Sequence, residues 1–68
     1  MVDMDVKVTC LKAMKQIEQH MSPRDLASRL GLERSEVGRA MHALALDGEL
    51  VRHEDVSCIA YVHKDFCL

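Results

Sequence analysis

Residues 26 to 50 read L-A-S-R-L-G-L-E-R-S-E-V-G-R-A-M-H-A-L-A-L-D-G-E-L. Val37, Ala40, Met41, Leu44 and Ala45 recur at i, i+3, i+4, i+7 and i+8, which is one apolar stripe of a helix over about residues 34 to 46. Leu26, Ala27 and Leu30 make the inward face of a shorter helix before it. Gly31 follows the last apolar residue of the first segment and Gly48 the last of the second, each where a left-handed residue ends a helix at no steric cost. Two helices joined by a tight glycine turn account for the whole stretch.

Upstream, Ser22-Pro23-Arg24-Asp25 announces the start of the short helix, 23–30. Serine is a preferred cap, and proline at the first helical position gives up no needed hydrogen bond. The Asp25 carboxylate suits the first turn, where the helix dipole favours negative charge. Further back, Cys10, Met14, Ile17 and Met21 recur at steps of four, three and four, with Val6, Leu11 and Ala13 widening the stripe. The spacing predicts a helix over 4–21, with Asp3 or Asp5 at its start and Lys7, Lys12, Lys15, Gln16 and Gln19 on its other face. Downstream the period changes. Leu50 to His53 and Cys58 to Val62 are short runs with β-branched and aromatic content, read as an antiparallel hairpin over 50–62, followed by a tail at 63–68.

Sixty-eight residues make one small domain with a modest core, too small for a deep catalytic cleft. Hydrophobic residues are 49% of the chain, which excludes a disordered tail, and the only aromatics are Tyr61 and Phe66. The cysteines Cys10, Cys58 and Cys67 are odd in number and widely spaced, a poor disulfide framework that suggests a reducing, cytoplasmic setting. The start, M-V-D-M-D, lacks the basic character of a signal peptide, and no apolar run spans a membrane. The formal net charge of −2 argues against nucleic-acid binding through bulk charge. Local charge differs: all five arginines (24, 29, 34, 39, 52) lie in residues 22–53, balanced there by Asp25, Glu33, Glu36, Asp47 and Glu49.

Helix, helix, glycine turn, helix, hairpin, with the quoted stretch at its heart, resembles a winged helix-turn-helix domain of the α+β class. The resemblance covers about residues 22–51. It implies that 34–46 is a recognition helix, that the protein binds double-stranded DNA, and that it acts as a transcriptional regulator, a homodimer placing two such helices about one DNA turn apart. Winged helices also serve as protein–protein modules, and the negative net charge suits that alternative. With the apolar stripe inward, Arg34, Ser35, Glu36, Gly38, Arg39 and His42 face outward. Arg34 and Arg39 can each pair with guanine or a phosphate, or stand as solvated helix surface; Glu36 can accept from cytosine; Ser35 can donate to phosphate. His42 is a base or phosphate contact or an exposed neutral imidazole. Gly38 removes a side chain where a backbone must come close. Ser22 and Arg24 open the second helix, where N–H groups favour phosphate, and Arg52 and His53 stand at the wing root. Glu33 is expected to cap the recognition helix.

The cadence L-A-x-x-L-G, E-V-x-R and L-x-x-x-G-x-L is also similar to the left-handed-DNA-binding domains of RNA-editing deaminases and innate sensors. That family relies on an Asn and a Tyr where this chain has Gly38 and His42, so left-handed DNA is not the expected ligand. The acidic wing tip, Glu54-Asp55, would repel phosphates. RNA binding by the same face is disfavoured by the scarcity of stacking aromatics. Cys58-x4-His63-x3-Cys67 lacks the close C-x2-C pairing of structural zinc, so no metal is expected and Cys58 is read as a buried strand residue. No phosphate loop, nucleophile elbow or carboxylate pair is present, so neither an enzyme nor a cofactor is expected.

Overall fold

Capping chemistry places the helix ends. The computed structural model describes residues 4–54 and 59–66. In chain order these form α1 (Met4–Gln16), α2 (Pro23–Leu30), α3 (Arg34–Leu46), β1 (Leu50–Glu54), β2 (Ile59–His63) and a 3₁₀ turn over Lys64–Phe66. At the start of α2, the Asp25 N–H donates to Ser22 Oγ at 3.2 Å, with Ser22 extended and Pro23 opening the helix. At its end Gly31 takes φ 70°, its N–H donates to the Ala27 carbonyl, and the Leu32 N–H reaches the same carbonyl at 3.0 Å. Gly48, at φ 83°, ends α3 alike: its N–H donates to the Ala45 carbonyl and the Glu49 N–H to the Leu44 carbonyl. Both are the left-handed ends that the two glycines predicted.

The first helix is shorter than its periodicity suggested, ending at Gln16 instead of residue 21. Ile17 N–H still donates to the Ala13 carbonyl, but Met21 exchanges both backbone bonds with Tyr61, each at 2.8 Å. A residue in a two-way antiparallel exchange must be extended, so the chain unwinds between Ile17 and Met21. Both side chains remain buried. The apolar spacing was right about burial and wrong about period. Met21 thus adds a third row beside β2, on the edge away from β1.

β1 and β2 pair antiparallel from Leu50 opposite His63 to Glu54 opposite Ile59. The second strand therefore runs one residue past the expected end, and His63 belongs to it, not to a tail. Three helices followed by a two-stranded antiparallel sheet make an α+β arrangement consistent with a winged helix.

α3 packs against α1, α2 and β1, so its inner stripe is the centre of the core. Val37, Ala40, Met41 and Leu44 are buried there with Val6, Cys10 and Met14 of α1, Ile17 just past its end, Leu26 and Ala27 of α2, and Leu50 and Tyr61 of the sheet. Leu30 and Ala45 pack at its margin, as the stripes implied, and Leu32 joins them. An ion pair from Lys7 to Asp47 ties α1 to the end of α3. Burial of this kind yields about 1.5–3 kcal/mol for each large apolar side chain, which lets a domain of 68 residues hold an exposed helix face open.

Candidate functional site

Successive helical residues turn by 100°, so with Val37, Met41 and Leu44 pointing inward the opposite face of α3 falls on Ser35, Arg39, His42 and Leu46. All four are exposed, and Arg34 and Glu36 are exposed on its flanks. Leu46 was not among the residues the sequence singled out, yet it is 76% exposed. Its position, four residues after His42 and seven after Arg39, is the signal that places it on this face.

The two helices that frame the site begin differently. In α2 the Ser22 cap takes the Asp25 N–H, the Leu26 N–H donates to the Ser22 carbonyl, and Pro23 has no N–H. Only the Arg24 N–H is left open, so this end offers less to a phosphate than its cap sequence suggested. In α3 Glu33 occupies the cap position, but its side chain makes no capping bond, contrary to the expectation. Its carboxylate sits one methylene further out than that of Asp, and the preferred caps are short. The Val37 N–H donates to the Glu33 carbonyl. Among the described residues, the N–H groups of Arg34, Ser35 and Glu36 have no partner. They carry the positive end of the α3 dipole into solvent.

Gly38 lies one turn after Arg34 and one turn before His42, at the side of α3 nearest α2. A Cβ built there would meet only the Pro23 Cβ, at 3.9 Å. Through this approach the start of α2, with Ser22 half-buried and Arg24 exposed, is brought beside the outer half of α3. Arg52 and His53 are exposed on β1. Arg52 Nη2 lies 3.9 Å from Glu54 Oε1, so its charge is partly offset on its own strand. The His53 ring meets His20 edge-on, with centroids 4.3 Å apart and planes at 90°. His20, just before the Met21 bridge, is a neighbour that the sequence did not announce.

Two further expectations meet the fold differently. Cys58, Cys67 and Asp55 lie outside the described residues, so the Cys58-x4-His63-x3-Cys67 spacing is represented by His63 alone. That ring is 2% exposed. Its Nδ1 accepts from the Asp65 N–H at 3.2 Å and stands 3.6 Å from the Asp65 carboxylate, while its Nε2 is buried with no partner among the described residues. An imidazole accepting at Nδ1 holds its proton on Nε2. Cys10, buried in the core, has its thiol pushed up by desolvation. It behaves as a small hydrophobe.

No protein-family profile, curated protein or solved structure matches the chain. No helix among the described residues is long and apolar enough to cross a membrane.

Proposed function

We propose that the protein binds double-stranded DNA sequence-specifically by placing α3 in the major groove, and that it regulates transcription. The observation that carries this reading is the outer half of α3. It presents Ser35, Arg39 and His42 on one exposed stripe, Arg34 beside them, and three unpartnered N–H groups at its tip. A groove about 12 Å wide admits one helix, and the N-terminal turns of that helix reach the base edges. In this pose Arg34 and Arg39 supply bidentate donors to guanine or phosphate, Ser35 donates to phosphate, and Glu36 accepts from cytosine. His42 lies one turn deeper along the same stripe. Ser22 and Arg24 hold the flanking strand, while Arg52 and His53 reach it from the wing root.

The domain has no net positive charge to hold DNA as a monomer, so the reading includes a homodimer. Two segments are candidates for its contact: the first helix, and the tail around Tyr61 to Leu68. Tyr61, Val62 and His63 are instead buried in the protomer's own interior. α1 keeps Met4 and Val8 exposed one turn apart, which supports it as the source.

Fluorescence anisotropy with random and enriched duplexes at several salt concentrations tests the proposal. Affinity should fall linearly on a log–log plot against salt, and Arg39→Ala should weaken it. Absence of binding at the lowest salt would end the DNA reading. Leu46 favours the alternative, a module that binds another protein: a largely exposed leucine on the outer stripe is an apolar anchor. In that case Leu46→Ser would abolish partner binding and Arg39→Ala would not.

A further inference from the structure

Gly38 breaks a local rule without local cause. It sits in the middle of α3, where glycine is the least favourable residue after proline. Two structural reasons for keeping a glycine are absent. Its φ is not positive, since only Gly31 and Gly48 take that conformation. Nor does packing exclude a side chain: the nearest atom to an added Cβ is the Pro23 Cβ at 3.9 Å, ordinary van der Waals contact. The protein's own fold would accept alanine here and be firmer for it. A sequence that departs from local consistency with no compensation in the fold does so most often at a functional surface.

The missing side chain leaves a notch. Its floor is the bare backbone of α3, one wall is Pro23 at the start of α2, and its ends are Arg34 and His42, one turn to either side. Ser22 and Arg24 adjoin the wall. Hydrogen-bond donors on both helices thus surround a spot kept free of side-chain bulk. We propose that Gly38 is a close-approach point for a sugar–phosphate strand, which lies in the notch between Pro23 and the outer stripe while Arg34 and His42 take its phosphate oxygens. The inference rests on the DNA reading above and specifies which part of the duplex comes nearest to the protein, and where.

Gly38→Ala tests it, because stability and binding are expected to move in opposite directions. The melting temperature should rise by about 4–8 °C, the shift that regained helix propensity gives a domain of this size. Affinity for the duplex should fall by about tenfold or more, the worth of one charge-assisted hydrogen bond held out of reach. Gly38→Ser, with slightly more bulk, should weaken binding at least as much. A stabilised variant that binds as the wild type does would overturn the notch and leave the DNA reading standing. A destabilised Gly38→Ala would also overturn it, by showing that the glycine serves the fold. If the wild type itself fails to bind duplex at low salt, it is the DNA reading that fails, and the notch falls with it.

Discussion

The two faces of α3 share only leucine among their residue types and live under different constraints. Inward, Val37, Ala40, Met41 and Leu44 are buried to 1% exposure or less, on the side of α3 that packs against α1, α2 and β1. Outward, Ser35, Arg39, His42 and Leu46 touch little of their own protein. Every inward residue is specified by packing, because a protein interior is as dense as an organic crystal and tolerates neither voids nor added bulk. Nothing in the fold specifies the outward residues.

The largest expected break of this contrast is on the inward side. Met41→Ala removes a fully buried side chain and should cost about 2–5 kcal/mol, close to the whole stability of a domain this small. A circular-dichroism melt should show the variant largely unfolded at 37 °C. A melting temperature within a few degrees of wild type would mean that the inner stripe is not the core. On the outward side, Arg39→Ala should leave the melt within about 0.5 kcal/mol of wild type and cost about 1–3 kcal/mol in duplex affinity. A shared loss of both would erase the distinction between the faces.

A finer contrast lies between the two helix starts. Ser22→Ala removes a capping bond that is present and should destabilise by about 1 kcal/mol. Glu33→Ala removes a residue whose side chain makes no such bond, and thermal melts should barely register it. Equal losses would show that Glu33 caps α3 after all, and that its first-turn N–H groups are less open to a partner than the structure has them.

The smallest effect concerns pH. Burial raises the Cys10 thiol in the folded protein, whereas in the unfolded chain it ionises near pH 8.5, by the ordinary range for thiols. Above that pH the folded state holds a proton that the unfolded state has lost. Stability is therefore undiminished below about pH 8.5 and declines as pH rises further. Melts from pH 7 to 10 should show a steeper alkaline decline in wild type than in Cys10→Ala. Parallel declines would contradict a thiol kept neutral by burial.

The same division explains what could be read in advance. The inward stripe of α3, the Ser22 cap and the two terminal glycines were legible because each is a one-dimensional pattern with one steric solution. Residues 17 to 21 were not, because two backbone bonds from Met21 to Tyr61, forty residues away in the chain, outweigh a continuing helical period. The failure of Glu33 to cap was hidden for a related reason: position was right, but reach depends on side-chain length and backbone angle together. On the site, exposure of Arg34, Ser35, Glu36, Arg39 and His42 followed from the period alone. The opposition of His20 and His53, and the approach of Pro23 to Gly38, depend on how separate segments meet, which no single stretch encodes.

The central claim is that the outer half of α3 meets duplex DNA. Amide chemical-shift mapping on addition of a short duplex tests it most directly. The account predicts perturbations concentrated at residues 34 to 42 and 22 to 24, with Leu26, Val37 and Leu44 changing little beyond what their neighbours impose. Perturbations confined to α1 around Met4 and Val8, or none under low-salt conditions, would contradict it.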